Sequence, residues 1–257
     1  MSRQNVRLLF LLIAVIVIVK VMDRDRSGPS RQERRGASAA RELDEQLAPS
    51  TAVPPKDGLA AAIVIDVSGS MKEKVAGRDG GRERKIDIAQ RAALDLVDQF
   101  ASYARDHQDE AVQLGVYEFS SRGGEPDCRT VVQMGPPDRE RAAAAISRLE
   151  ADGGTPIGGA MITAKRMLDD TGLTRRHLLV VTDGDNTDGI EPERVAAGIN
   201  KRPDAERPAI YFVAFDVDAS RFNGVRDAGG LVLSAANATE LNNTLDALLR
   251  GKILVEK

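Results

Sequence analysis

The chain has 257 residues, of which 42% are hydrophobic, enough for one substantial α/β domain with an appendage. The formal net charge is −3, aromatic residues make up 4% of the chain and Trp is absent, which argues against nucleic-acid binding through basic charge or base stacking. Cys128 is the only cysteine, so an internal disulfide and a cysteine-based zinc site are excluded.

An apolar segment near the start predicts attachment to a membrane. Leu8–Val19 is an unbroken apolar run, extended to Val6–Met22 if Arg7 and Lys20 direct their charges to the membrane interface. The run is short for a membrane span and has the proportions of a signal peptide, but no small-residue cleavage site follows it. We therefore predict an uncleaved signal-anchor, a single transmembrane helix over residues 6–22. A cleaved signal peptide and a buried core helix are the alternatives.

Basic residues flank this segment on both sides, so the membrane face of the domain is ambiguous. Arg3 and Arg7 precede the apolar run, whereas a larger number of Lys and Arg residues follow it. A basic region before the first apolar segment is the arrangement of exported proteins, which favours an extracytoplasmic domain. Residues 23–58 are rich in Arg, Ser, Gly, Pro and Ala and predict a flexible linker.

From Leu59 onward, strand-like and helix-like segments alternate. The predicted strands are Leu59–Asp66, Val112–Phe119, Arg129–Met134, His177–Thr182, Ala209–Val217 and Gly230–Ser234. The predicted helices are Lys85–Arg105, Arg139–Leu149, Ile157–Leu168, Pro192–Asn200 and Ala238–Leu249. Strands separated by helix-length connections predict a doubly wound, mainly parallel sheet with helices on both faces. This domain would span residues 59–250, followed by a short tail at 251–257.

Three separate segments place oxygen-bearing side chains at one edge of this sheet. The first strand ends in Asp66-Val-Ser68-Gly-Ser70, Thr155 opens a helix, and Asp183 follows a later strand. In a doubly wound sheet, ligands bind beyond the carboxyl ends of the strands, where the strand order reverses. Carboxylates and hydroxyls without nitrogen or sulfur suit a hard cation. We expect Mg²⁺, with Mn²⁺ and Ca²⁺ also compatible.

Together these segments resemble the metal-ion-dependent adhesion site of von Willebrand factor A-type domains. The resemblance is carried by Asp66-x-Ser68-x-Ser70, by Thr155 within Gly-Gly-Thr-Pro-Ile-Gly and by Asp183 within Thr-Asp-Gly, and it covers about residues 59–250. It implies a Rossmann-like fold in which the first four residues line the metal and Asp183 binds directly or through a water. It also implies a non-enzymatic protein-binding role, in which an acidic side chain of the partner fills the open metal position. Assembly factors that work with AAA-type ATPases are one context that the resemblance suggests.

Two other functions compete with metal-dependent protein binding. A metal-dependent hydrolase would need a general base, and only Asp185 or Asp188 lies suitably placed in the sequence. A structural metal would stabilise the loops without binding a partner. The two histidines, His107 and His177, stand at a predicted helix end and strand start, and we expect both on the surface.

A basic stretch follows the first metal-binding segment. Residues 71–85 contain six Lys and Arg residues and three Asp and Glu residues. They could form a solvated loop, or a basic collar that steers an acidic partner toward the ion. We therefore predict Lys72 and Arg78, together with Asp185, as partner-binding residues.

Overall fold

A computed structural model of the chain describes residues 31–49, 53–123 and 127–256. The predicted anchor at residues 6–22 lies outside these ranges, so it stays a prediction. In the described ranges, no helix is both long and apolar enough to cross a membrane. The chain divides into two compact units at Glu45 and Gln46, and the second unit contains the predicted α/β domain.

A helix runs from Arg31 to Leu47, inside the segment that the sequence predicted as a flexible linker. Arg, Glu, Ala, Leu and Gln dominate this segment, and all of them favour helix formation. Arg41 and Glu45 form an ion pair one helical turn apart, which adds a small stabilisation. The segment was predicted as a linker because it holds few large apolar residues. Residues that favour helix formation give a helix here, although the segment holds few large apolar residues.

A six-stranded sheet forms the centre of the second unit, as predicted. Its strands are β1 (Lys56–Asp66), β4 (Ala111–Phe119), β5 (Cys128–Gly135), β6 (Leu173–Thr182), β7 (Ala209–Phe215) and β8 (Leu231–Ala235). The order across the sheet is β5-β4-β1-β6-β7-β8, and every neighbouring pair is parallel except β4 and β5. The strand order reverses between β1 and β6, which places the switch point there.

Helices cover both faces of the sheet. They comprise Lys85–Asp106, Arg139–Ile146, Ile157–Asp169, Pro192–Asn200, Asn223–Asp227 and Ala238–Leu248. Successive side chains of a strand point to opposite faces, so Ile63 and Ile65 of β1 share one core with helices 85–106, 139–146 and 238–248. Helix 157–169 packs against β1 from the other side. Burial on both faces explains why β1 reads as an unbroken apolar run.

Two features of the basic stretch and of β7 differ from the sequence prediction. Residues 74–84, for which the sequence predicts a loop, form a small antiparallel hairpin of β2 (Lys74–Ala76) and β3 (Arg82–Arg84). Strand β7 ends at Phe215, two residues before the predicted end. Asp216 has φ +56°, a left-handed conformation that is incompatible with an extended strand.

His177 is buried, contrary to the prediction that it lies on the surface. Strand β6 begins at Leu173, four residues earlier than predicted, so His177 lies in mid-strand and pairs with Ala61 of β1 and Ala209 of β7. Burial, with a smaller effect of the Arg175 charge, lowers the pKa of His177 to about 4. The imidazole is therefore neutral at physiological pH.

Candidate metal centre

The predicted metal-binding residues lie around the switch point. Asp66 is the last residue of β1, and Asp183 directly follows β6, the adjacent parallel strand. Ser68 and Ser70 follow Asp66 in the loop and the short 3₁₀ helix Gly69–Lys72. The parallel arrangement brings together two strand ends that are far apart in sequence.

Asp66 is a fully buried carboxylate with two hydrogen-bond donors. Its Oδ1 accepts a hydrogen bond from the Ser68 backbone N–H at 2.7 Å, and its Oδ2 accepts one from Thr182 Oγ1 at 2.6 Å. Burial, followed by the negative charge of Asp183, raises the pKa of Asp66 to about 6 despite these donors. Positive charge brought to this carboxylate would favour its ionised form.

The two serines link Asp66 to Asp183. Ser68 Oγ and Ser70 Oγ lie 3.1 Å apart, and Ser70 Oγ donates to Asp183 Oδ1 at 2.7 Å. Asp66, Ser68, Ser70 and Asp183 are thus connected by successive hydrogen bonds at the carboxyl edge of the sheet, the first of them from the Ser68 backbone N–H. The structure brings these four predicted residues together.

The loop that contains Thr155 is held against the first loop by backbone hydrogen bonds. Gly69 N donates to Gly153 O at 2.9 Å, and Asp152 N donates to Val67 O at 2.7 Å. Gly153 has φ +85°, and a Cβ atom there would collide with the carbonyl oxygen of Ser121. Glycine is therefore required where the Thr155 loop pairs with the chain at Ser121.

Thr155 is positioned by residues that the sequence analysis did not identify. Its backbone N–H donates to Thr187 Oγ1 at 2.7 Å, and Thr187 N donates to Thr155 O at 3.0 Å. Asn186 Oδ1 accepts from the N–H of Ile157 at 2.9 Å, the first residue of helix 157–169. Pro156 occupies the N-cap position of this helix. Because proline offers no capping side chain, Asn186 supplies the cap from a distant loop.

Lys85 is a further residue at this site that the sequence did not reveal. It begins helix 85–106, its side chain is buried, and its Nζ forms ion pairs with Asp183, Asp216 and Glu73. Burial lowers the pKa of Lys85, but its hydrogen bonds with Asp216 and Asp183 outweigh that effect and raise the pKa above its usual value. Asp216 directly follows β7, and an aspartate directly after a strand is a feature that a sequence can reveal. The predicted strand Ala209–Val217 includes Asp216, so this feature was not recognised.

Each of the three predicted partner-binding residues has an ion-pair partner in the structure. Lys72 lies two residues after Ser70 and pairs with Asp152 at 3.1 Å. Arg78 pairs with Asp95, which lies ten residues beyond the start of helix 85–106, or about 15 Å along its axis. Asp185, in the loop after Asp183, pairs with Arg221. Lys72 and Asp185 each lie two residues in sequence from a predicted metal-binding residue, and a role of the three residues in partner binding stays a prediction.

The donor set suits a hard divalent cation. Its members are carboxylate and hydroxyl oxygens, the groups that Mg²⁺, Mn²⁺ and Ca²⁺ prefer. In the described part of the chain, no three or more His, Cys, Asp or Glu side chains form a cluster suited to a metal ion, so a site here depends on the hydroxyls. Asp66 is buried, yet it forms no ion pair with a Lys, Arg or His among the described residues. A cation beside Asp66 would supply the missing charge.

Comparison with protein families gives a match to the von Willebrand factor type A domain over residues 61–186. The matched range includes the three segments that carry the predicted metal-binding residues. A search of curated protein sequences found no match.

Solved structures share the fold at low sequence identity. A von Willebrand factor type A protein from Catenulispora acidiphila is 21% identical, with a TM-score of 0.57, and the alignment covers 75% of this chain and 42% of that one. The PilB minor pilin from Streptococcus sanguinis is 14% identical, with a TM-score of 0.58 and coverage of 80% and 63%. BatB from Bacteroides thetaiotaomicron, a conserved hypothetical protein, is 17% identical, with a TM-score of 0.56 and coverage of 75% and 96%. This chain spans less than two thirds of the length of the first two proteins, and at these identities the likeness establishes the fold alone.

Proposed function

Because this chain contains a von Willebrand factor type A domain, a fold that typically mediates protein–protein interaction, we propose that it binds a protein partner through a divalent metal ion. Asp66, Ser68, Ser70 and Thr155 would hold the ion, and Asp183 would bind it directly or through a water. Magnesium bound there would supply a positive charge for an acidic side chain of the partner. Mg²⁺ is the expected ion, and Mn²⁺ or Ca²⁺ could take its place.

The observation that carries this proposal is the hydrogen bond from Ser70 to Asp183. It joins side chains 113 positions apart in the sequence, at 2.7 Å and at the switch point of the sheet. Serine and aspartate residues that served only local turns would have no reason to meet there. Their meeting supports a shared ligand, because the same oxygens can face one ion.

Binding is favoured over hydrolysis by the contacts of the two candidate bases. Asp185 is paired with Arg221, and Asp188 Oδ2 accepts hydrogen bonds from Ser121 Oγ at 2.6 Å and Thr187 Oγ1 at 3.0 Å. Both candidate bases are thus already engaged by neighbouring side chains of the protein. The same fold occurs in a minor pilin, which agrees with a binding role.

A purely structural metal is disfavoured by the backbone contacts between the loops. Val67 N donates to Phe119 O at 3.0 Å, and the loops that contain Gly69 and Gly153 are joined by the hydrogen bonds described above. These bonds hold the loops together through the backbone alone. The loops therefore do not depend on an ion alone to be held together.

We further propose that the domain is held at a membrane by residues 6–22, with the domain on the extracytoplasmic side. The apolar run and the basic residues before it support this placement. An AAA-type ATPase system remains a candidate context for the partner, on the sequence resemblance. The acidic composition of the domain gives no support for nucleic acid as a ligand.

The test is a crosslinking pull-down with the tagged chain in Mg²⁺ and in EDTA, using wild type, Asp66→Ala and Asp98→Ala. Asp98 is an exposed aspartate that pairs with Arg139 on the surface, so its variant matches the charge change away from the site. We expect a partner captured by wild type and Asp98→Ala in Mg²⁺, and lost with EDTA or with Asp66→Ala. Capture that neither EDTA nor Asp66→Ala reduces would reject metal-dependent binding. Phosphoester turnover by wild type that Asp185→Ala abolishes would establish the hydrolase instead.

A further inference from the structure

The two carboxylate oxygens of Asp183 contact different neighbours, and Lys85 is one of these neighbours. The side chain of Lys85 is 4% exposed, and its Nζ lies 3.0 Å from Asp183 Oδ2. The other oxygen, Oδ1, accepts the hydrogen bond from Ser70. One predicted metal-binding carboxylate is thus in contact with a buried cation of the protein itself.

The buried charges at the site sum to −1. Asp66 and Asp183 contribute −2 and Lys85 contributes +1. The side chains of Glu73 and Asp216 also pair with Lys85, but they are 69% and 37% exposed, so water screens their charges. A divalent cation would change the sum to +1, and one carboxylate from a partner would then bring it to zero. Without Lys85, the ion alone would neutralise the two buried aspartates.

We propose that Lys85 determines the specificity of this site for an acidic partner, because it makes the site one charge more positive after the metal has bound than the two buried aspartates alone would leave it. This inference rests on the proposed function and deepens it. The cost is a weaker hold on the ion, since Lys85 repels any cation that approaches Asp183. Lys85 therefore lowers the affinity of the site for the metal and increases its attraction for a partner carboxylate.

Asp216 is the residue that positions Lys85. Its Oδ2 lies 2.9 Å from Lys85 Nζ, and its backbone N–H donates to Ala235 O at 2.7 Å. In the described ranges it is the one residue other than glycine with a positive φ. Aspartate adopts such a conformation more readily than most residues other than glycine. In this conformation the Asp216 side chain contacts Lys85.

The test measures Mn²⁺ binding by the full chain in detergent, with electron paramagnetic resonance as the readout of free Mn²⁺. Lys85→Met removes the internal cation, and Lys85→Arg keeps it. Arg84→Met is the matched control, because Arg84 is the preceding residue, is exposed and pairs with Asp87. We expect Lys85→Met to bind Mn²⁺ at least about tenfold more tightly than wild type. Lys85→Arg and Arg84→Met should stay close to the wild-type affinity.

A second measurement separates specificity from metal affinity. Acetate, as a probe for a partner carboxylate, is titrated into the Mn²⁺-bound proteins, and the relaxation of water protons reports displacement of metal-bound water. Acetate should displace water from wild type and Lys85→Arg at several-fold lower concentration than from Lys85→Met. A residue that only stabilised the fold would not change this ratio.

The outcomes distinguish this inference from the proposed function. Wild type that binds no Mn²⁺ overturns both. Wild type that binds Mn²⁺, with Lys85→Met equal to it in Mn²⁺ and acetate affinity, overturns the role of Lys85 alone. If Lys85→Met is unfolded without metal, Mn²⁺ should restore its circular dichroism spectrum, because the ion then neutralises Asp183. Failure of Mn²⁺ to restore it would leave Lys85 as a purely structural residue and refute the proposal.

Discussion

Two buried side chains of the domain oppose each other in their response to pH. The pKa of Asp66 is raised to about 6 from an ordinary value of 3.8, so on acidification the folded state takes up a proton before the unfolded state does. This uptake increases the free energy of unfolding as the pH falls toward 4. The pKa of His177 is lowered to about 4 from 6.5, so the unfolded state is protonated first. That difference decreases the free energy of unfolding over a similar pH range.

We therefore predict that single substitutions reveal pH dependences that largely cancel in the wild type. Without metal, Asp66→Asn should lose about 1 kcal/mol of stability relative to wild type between about pH 7 and about pH 5. His177→Gln should gain a similar amount relative to wild type over the same interval. Urea denaturation at each pH measures both effects. Parallel pH profiles for all three proteins would contradict the assignment.

The 184–188 loop joins the Thr155 segment to the site from the side of β6, in addition to the backbone hydrogen bonds with the first loop. Asn186 caps helix 157–169, and Thr187 hydrogen-bonds with Thr155 in both directions. Stability and metal binding should therefore both depend on this loop. A cap elsewhere in the fold should affect stability alone.

Asn186→Ala should lower the free energy of unfolding by about 1 kcal/mol, the usual cost of removing a cap. It should also weaken Mn²⁺ binding several-fold, because the Thr155 segment loses one of its supports. Asn237→Ala is the control, since Asn237 caps helix 238–248 through Glu240 N at 3.0 Å. It should cost similar stability and leave Mn²⁺ affinity unchanged. Equal Mn²⁺ affinities in the two variants would show that the 184–188 loop does not support the metal site.

At the scale of the whole molecule, the start of the folded domain lies before the predicted Leu59. Strand β1 begins at Lys56, whose N–H donates to Gly172 O at 2.9 Å. Gln46 O accepts a hydrogen bond from Arg166 Nε at 3.0 Å, and Leu47 is fully buried. Residues before the predicted boundary thus contribute to the second unit.

A fragment of residues 46–257 should consequently be more stable than one of residues 59–257. Loss of the buried Leu47 side chain alone should cost about 1.5–3 kcal/mol, and the lost hydrogen bonds add to this. Chemical denaturation of both fragments measures the difference. Equal midpoints would place the domain boundary where the sequence analysis put it.

Membrane attachment is tested with the same longer fragment. The full chain should sediment with lipid vesicles, whereas residues 46–257 should remain in the supernatant, because the fragment lacks the apolar run at Leu8–Val19. Sedimentation should persist at high salt, since the attachment is hydrophobic. Recovery of the full chain in the supernatant would reject the anchor.

The sequence by itself determined the α/β class, the alternation of strands and helices, and the segments that lie at the carboxyl edge of the sheet. These follow from local periodicity and from the rule that parallel strands present their carboxyl ends together. Asp66, Ser68, Ser70 and Asp183 could therefore be placed at one edge of the sheet from the sequence, whereas the adjacency of β1 and β6 came from the structure. Their binding of metal stays a prediction.

Only the tertiary structure decided which other side chains reach that edge. Asp216 lies outside β7, because the strand ends at Phe215. Lys85 is distant in the chain from Asp183 and Asp216, yet it forms ion pairs with both of them. His177 became a core residue because β6 starts at Leu173 and gains neighbours on both sides. Periodicity within a segment carries little information about where a strand ends or which segment packs against it. Those are set by long-range pairing and burial, and they placed a lysine beside the predicted metal site.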